Sequence, residues 1–238
     1  MPDSEPCTVK TLGLIGGMSW ESTVPYYRLI NETVKARLGG LHSAKILLWS
    51  VDFAEFEALM RADRWADVGR ELAAAANALQ RGGAEALVLC TNTLHKLAPV
   101  IESAVSIPLL HIVDPTAEAV KRAGLATIGL LATRYTMEEN FYVGRLQRQH
   151  GLGVIVPDAA DRAEANRIIF DELCRGKVLD SSRQRSREMI ARLVGQGAQG
   201  IVLGCTELSM LIKPADSAVP LFDTTALHAA AAAAWALG

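Results

Sequence analysis

Short apolar runs alternate along this chain with longer segments whose apolar residues recur every three or four positions. That is the pattern of strands buried on both faces alternating with amphipathic helices. Lys10 to Ile15 reads as a strand stopping at Gly16-Gly17, and Ser19 precedes a helical pattern through Tyr26, Tyr27, Leu29 and Ile30. Ala44 to Val51 reads as a second strand and Trp65 to Gln80 as an alanine-rich helix closed by Gly82-Gly83. Ala86 to Cys90 is a third strand, with Thr91 or Thr93 able to cap the helix that follows. Ser106 to Val113 is the next strand, after which Asp114-Pro115-Thr116 opens a helix with proline in its first turn. The second half repeats the plan: strand Ala126 to Leu131, helix Thr136 to His150, strand Gly153 to Val156, helices Arg162 to Cys174 and Ser181 to Gln196, and strand Ile201 to Leu203. In the closing alanine-rich helix, Leu227, Trp235 and Leu237 supply one apolar face.

The two halves echo each other residue by residue. Thr11-Leu12-Gly13-Leu14-Ile15 answers Thr127-Ile128-Gly129-Leu130-Leu131, and Gly83-Ala84-Glu85-Ala86 answers Gly197-Ala198-Gln199-Gly200. Ile107-Pro108-Leu109 answers Val219-Pro220-Leu221, and between them Leu89-Cys90-Thr91 answers Leu203-Gly204-Cys205-Thr206 by its cysteine. Matches in the same order are the mark of an internal repeat. We expect an α/β fold of two pseudo-symmetric parallel-sheet domains, the first over 1–104 and completed by 216–238, the second over 105–215. In such sheets ligands bind beyond the carboxyl ends of the strands, where Cys90 and Cys205 both fall. Two facing domains would present the two thiols across a shared cleft.

Composition narrows the partners. Half of the residues are hydrophobic but only 5% aromatic, and a net charge of -2 supplies no electrostatic reason to expect nucleic acid or an anionic membrane. The longest small-apolar run, from Ala229, is too short to span a bilayer, and the N-terminus lacks the pattern of a secretory signal. The expectation is a cytoplasmic protein with a small-molecule ligand and reduced thiols. Cys90 with His95 is only a pair, so no metal site is expected.

Inverting the stereocentre of an amino acid needs a base on one face of the α-carbon and an acid on the other, with roles that exchange in reverse. Two cysteines meet that need if one is thiolate and the other thiol. A thiol at a strand end and helix start is placed for a lowered pKa, and the same backbone N–H groups can hold a carboxylate.

The segments Ile15-Gly16-Gly17-Met18-Ser19-Trp20-Glu21-Ser22, Leu89-Cys90-Thr91-Asn92-Thr93-Leu94-His95-Lys96 and Gly204-Cys205-Thr206-Glu207 closely resemble the aspartate/glutamate racemase family, nearest its bacterial broad-specificity branch. The resemblance implies a cofactor-independent amino-acid racemase, a homodimer, and Cys90 and Cys205 as the proton donor and acceptor pair. It further implies that Thr91, Asn92, Thr93 and Thr206 bind the substrate carboxylate and ammonium, with Met18 nearby. Glutamate racemases of cell-wall synthesis carry Asp-Ser in the first glycine loop and His after the second Cys-Thr; here Gly17-Met18 and Glu207 stand in those places. Aspartate-specific relatives carry a lysine in the stretch corresponding to Ala163 to Arg167. Here Glu164 would repel an acidic side chain unless Arg162 or Arg167 takes over, so a neutral or broad range is expected.

Several residues admit two readings. Glu207 either orients Cys205, meets the substrate ammonium, or complements a helix dipole. Thr133 and Thr136 are either substrate contacts or, for Thr136, an N-cap. His95 and Lys96 either line the cleft or sit on a helix surface. Cys174 and Cys7 read as small buried hydrophobes. Gly13, Gly16 and Gly17 with Asp52 form only a weak dinucleotide pattern. Competing functions are a hydantoin racemase or decarboxylase of the same fold, and a small-ligand-binding protein without turnover.

Overall fold

Among the described residues eight short strands carry the architecture, and each of them pairs in parallel. The computed structural model describes residues 9–238; Cys7 lies outside the described residues. In chain order the elements are β1 (Thr11–Gly16), α1 (Trp20–Leu38), β2 (Lys45–Ser50), α2 (Phe53–Arg61), α3 (Trp65–Arg81), β3 (Ala86–Leu89), α4 (Ala98–Ala104), β4 (Leu109–Leu110) and α5 (Val113–Arg122). They continue as β5 (Thr127–Ala132), α6 (Arg134–Glu138), α7 (Asn140–Arg148), β6 (Gly153–Ile155), α8 (Ala159–Arg167), α9 (Asp180–Gly195), β7 (Ile201–Gly204), α10 (Leu208–Leu211), β8 (Leu221–Asp223) and α11 (Thr224–Leu237). One sheet has the order β2-β1-β3-β4 and the other β6-β5-β7-β8. This is the expected α/β class with two like parallel sheets. None of the described helices is long and apolar enough to cross a membrane.

The described residues divide into two compact units, one of 9–90, 97–110 and 228–238, the other of 91–96 and 111–227. In the first, Leu12, Leu14, Ala86, Val88 and Cys90 pack with Tyr26, Ile30 and Val34 and with Ala229, Ala232, Ala233 and Ala236. In the second, the core gathers Ile128, Leu130, Val202 and Leu203 with Met189, Ile190 and Leu193. The apolar face of α11 is thus its alanines, at helical spacing. Leu227, Trp235 and Leu237, expected to form that face, are only half-buried.

Register relates the halves more closely than composition does. Gly13 pairs with Leu47 and Leu87, and Leu87 with Leu109. Gly129 pairs likewise with Ile155 and Ile201, and Ile201 with Leu221. Both glycines admit the same close packing: a Cβ on Gly13 would meet Ala84 and Leu87, and one on Gly129 would meet Ile201 and Leu193. Glu85 donates its N–H to Thr11 O at 2.8 Å and accepts from Thr11 N at 2.7 Å; Gln199 does the same with Thr127 at 2.9 and 3.0 Å. Counting on from Leu87 and Ile201, Cys90 falls level with Gly204, and Thr91 with Cys205. The two cysteines therefore do not occupy matching places. A shift of one residue along a strand turns the side chain to the other face.

Several element boundaries depart from the sequence pattern. The strand expected over Ser106 to Val113 is reduced to β4, because Pro108 has no N–H to give a ladder and offers only its carbonyl, to Leu87 N at 2.8 Å. The helix expected from Thr136 to His150 breaks at Glu139, whose backbone is extended and whose carboxylate meets Lys96 at 2.8 Å. The helix expected from Arg162 starts earlier, at Ala159, where the Asp158 carboxylate accepts from Asp161 N. It then widens into a π-helical turn, Ile168–Glu172, and tightens into a 3-10 turn, Leu173–Arg175. After β3 a 3-10 turn, Thr93–Leu97, precedes α4, whose N-cap is Leu97 and not a threonine. Asp52 caps α2, a helix the sequence pattern did not indicate, by accepting from Ala54 N at 3.0 Å; that accounts for this acid without a ribose.

Candidate active site

Beyond the carboxyl end of β7 the chain presents Cys205, Thr206 and Glu207, all buried. The Cys205 thiol donates to Glu207 Oε2 at 3.1 Å, and the Thr206 hydroxyl donates to the same oxygen at 2.6 Å. Burial pushes the Cys205 thiol well above its usual range, and the Glu207 charge and Cys174 push it further. The lowering expected from a helix start is not found. The helix after Cys205 is a single turn beginning at Leu208, and the sulfur meets the Glu207 carboxylate, which repels a thiolate. Burial likewise pushes the Cys90 thiol up; its Sγ meets only Val88 O, at 3.7 Å, and no α-helix follows directly.

The turn Thr91-Asn92-Thr93 belongs to the same unit as Cys205 and is tied to the strand that carries it. Asn92 Nδ2 donates to Thr224 Oγ1 at 3.0 Å, and Thr224 donates to Leu203 O at 2.9 Å. Because the Thr224 proton is committed to Leu203, Thr224 can only accept from Asn92, which fixes the amide orientation. Asn92 Oδ1 is then left buried without a hydrogen-bond partner. An orphaned buried acceptor costs about 1–3 kcal/mol, and a cationic donor would satisfy it.

His95 holds this turn from beneath. Ile112 N donates to His95 Nε2 at 3.2 Å, so the ring proton sits on Nδ1 and is donated to Thr91 O at 2.7 Å. The His95 and His111 rings meet edge to face at 4.4 Å. His95 is thus a buried brace and not a surface residue, while Lys96 is half-buried in its ion pair with Glu139.

Three hydroxyls complete the group. Thr93 and Thr133 Oγ1 lie 2.9 Å apart, Thr133 and Thr136 3.1 Å, and Thr93 and Thr136 3.5 Å. Thr133 is the N-cap of α6, accepting from Thr136 N, so the capping role considered for Thr136 belongs to its neighbour. Hydroxyls hydrogen-bonded mainly to one another are well suited to turn toward an anion.

Cys205, Thr206, Glu207, Thr91, Asn92, Thr93 and Thr133 all belong to the second unit. Met18 and Cys90 belong to the first unit. Met18 is buried at the turn after β1, where Gly17, at φ 92°, lets the Val51 backbone approach within reach of a Cβ that it lacks. Thr224 was not singled out in the sequence, although it follows directly on β8 at a strand end. Glu164 is held by Arg167 at 2.8 Å, and Arg167 also meets buried Glu172 at 2.7 Å; Arg162 meets Glu138 at 2.9 Å. The Arg167 hydrogen bond holds the Glu164 carboxyl below its usual range, with burial opposing. Both arginines that could have compensated for Glu164 are therefore already engaged. Among the described residues no group of three or more His, Cys, Asp or Glu side chains is disposed to hold a metal ion.

Comparison with known proteins follows the same outline. A crystal structure of an Asp/Glu racemase candidate from Yersinia pestis is 56% identical, with a TM-score of 0.89 over 96% of this chain and 100% of that one. An aspartate racemase homologue from Pyrococcus horikoshii is 32% identical, with a TM-score of 0.81 over 95% and 99%. The broad specificity amino-acid racemase RacX of Bacillus subtilis is 22% identical over 90% of this chain and 93% of its own length. The family model described as Asp/Glu/Hydantoin racemase matches residues 15–232, and the chain belongs to that family.

Proposed function

We propose that this protein is a cofactor-independent amino-acid racemase that moves the α-proton with the cysteine pair Cys90 and Cys205. The observation that carries the reading is the grouping of a buried thiol with an unpartnered amide oxygen and clustered hydroxyls in one unit. Asn92 Oδ1 accepts from the substrate ammonium. The hydroxyls of Thr91, Thr93 and Thr133, with that of Thr206, serve the carboxylate, which also takes up charge as the α-carbon loses its proton. The racemases among the relatives support the same reaction class.

The two thiols exchange roles between the enantiomers, one taking the α-proton as thiolate while the other gives a proton as thiol. Cys90 follows directly on β3 and Cys205 directly on β7, the strand ends at which ligands bind in parallel sheets. With Arg162 and Arg167 both engaged, the substrate range extends to neutral side chains.

The test is α-proton exchange in deuterated water, followed by NMR over a panel of L- and D-amino acids without added cofactor. Exchange with inversion, from both enantiomers and extending to neutral side chains, is the expected result. No exchange with any member of the panel, in folded and reduced protein, would overturn the reading.

A further inference from the structure

Strand β8 ends at Asp223, opposite Leu203 of β7, and a side chain carries the pairing one residue further: the Thr224 hydroxyl donates to Leu203 O at 2.9 Å. Thr224 is fully buried, and the Asp223 carboxylate accepts from Thr225 N at 2.9 Å, which holds the first turn of α11. We propose that Thr224 makes the site choose an ammonium group, by holding the Asn92 amide with its nitrogen on the hydroxyl and its oxygen left for a ligand. That use of the oxygen rests on the proposed function, but the hold on the amide does not.

An amide side chain has nearly the same shape either way round, but its oxygen only accepts and its nitrogen only donates. Which end meets a ligand is decided by what holds the other. The Thr224 hydroxyl, its proton spent on Leu203, offers Asn92 a lone pair alone, and Asn92 Nδ2 takes it at 3.0 Å. The backbone of the turn is fixed separately, since His95 N donates to Asn92 O at 3.1 Å and His95 Nδ1 to Thr91 O at 2.7 Å. Removing the Thr224 hydroxyl therefore leaves the turn in place and frees the amide to rotate. An ammonium donates to Oδ1 in a charge-assisted hydrogen bond, about twice as strong as a neutral one. A 2-oxo acid brings a carbonyl oxygen to the same point, where two acceptors repel, and it is accommodated only by the rotated amide. Thr224 is thus a positioning residue that acts through Asn92, and the chain from Asn92 through Thr224 to Leu203 lies wholly in the second unit.

The experiment compares the parent protein with Thr224→Val, which keeps the shape and removes the hydroxyl, and with Thr224→Ser, which restores it. NMR of 15N-labelled protein without ligand follows the Asn92 Nδ2 protons, assigned by their loss in Asn92→Asp. One of them should carry the downfield shift of a hydrogen bond in the parent, lose it in Thr224→Val and regain it in Thr224→Ser. Titration with leucine and with its 2-oxo acid then reads the choice of ligand. The parent should prefer leucine at least tenfold, Thr224→Val less than about threefold, and Thr224→Ser as the parent does. Unchanged Asn92 signals in Thr224→Val, or an unchanged preference for leucine, would overturn the proposal. If Thr224→Val fails to fold, the parent decides alone: the 2-oxo acid bound as tightly as leucine would overturn it. Failure of the racemase reading would appear as absent α-proton exchange and would leave the ligand-free Asn92 signals as they are, so the two are separable.

Discussion

At the scale of single residues, the site is a set of polar groups whose partners are nearly all accounted for, which makes the exception informative. Asn92 spends its amide N–H on Thr224 and leaves its oxygen buried and unmet. Asn92→Ala should raise KM at least tenfold in steady-state kinetics while the thermal midpoint drops only modestly; an unchanged KM would remove Asn92 from the ammonium site. His95 is the opposite case, with both ring nitrogens engaged. Truncating it orphans a buried N–H and a buried carbonyl, so His95→Ala should cost about 1–3 kcal/mol in denaturant unfolding. Thr91, whose carbonyl it holds, should then lose its alignment, and kcat should fall with it. The sequence made His95 ambiguous because a histidine after a turn looks the same whether it faces water or bonds to a helix N-cap 17 residues on.

At the scale of elements, strands were legible and helix interruptions were not. Strands β1, β3, β5 and β7 announce themselves as short apolar runs, closed by glycine in β1 and by Cys-Thr after β3 and β7. The break between α6 and α7 falls at Glu139, which is paired with Lys96, a contact that no local pattern records. That pair is half-exposed, so Lys96→Ala should cost no more than ~1 kcal/mol, read by thermal unfolding. The cysteine match shows another limit. Cys-Thr is conspicuous and invites alignment, whereas the run Gly83-Ala84-Glu85-Ala86 against Gly197-Ala198-Gln199-Gly200 is plain, and the two matches disagree by one position. Backbone pairing follows the plain one. Gly13→Ala and Gly129→Ala, each pressing a Cβ to 2.8 Å from a neighbour, should destabilise alike, by roughly 1–3 kcal/mol. A large difference between them would count against the equivalence of β1 and β5.

At the scale of the whole chain, repetition carried the fold class, while each unit keeps ion pairs of its own. In the second unit, burial pushes the Asp114 carboxyl up, but hydrogen bonds from Arg145 and His150 outweigh it and hold the group below its usual range. A carboxyl depressed in the folded state stabilises above its unfolded pKa, about 3.9, and loses that contribution as pH falls through the folded value. Stability should therefore decline below about pH 4, and Asp114→Asn should flatten that decline in denaturant melts across pH. The central claim is that Cys90 and Cys205 are the two groups that move the α-proton. The most direct measurement is racemisation in deuterated water by Cys205→Ser and Cys90→Ser, with folding checked by circular dichroism. The account predicts racemisation abolished in both folded variants; full racemase activity in either would contradict it.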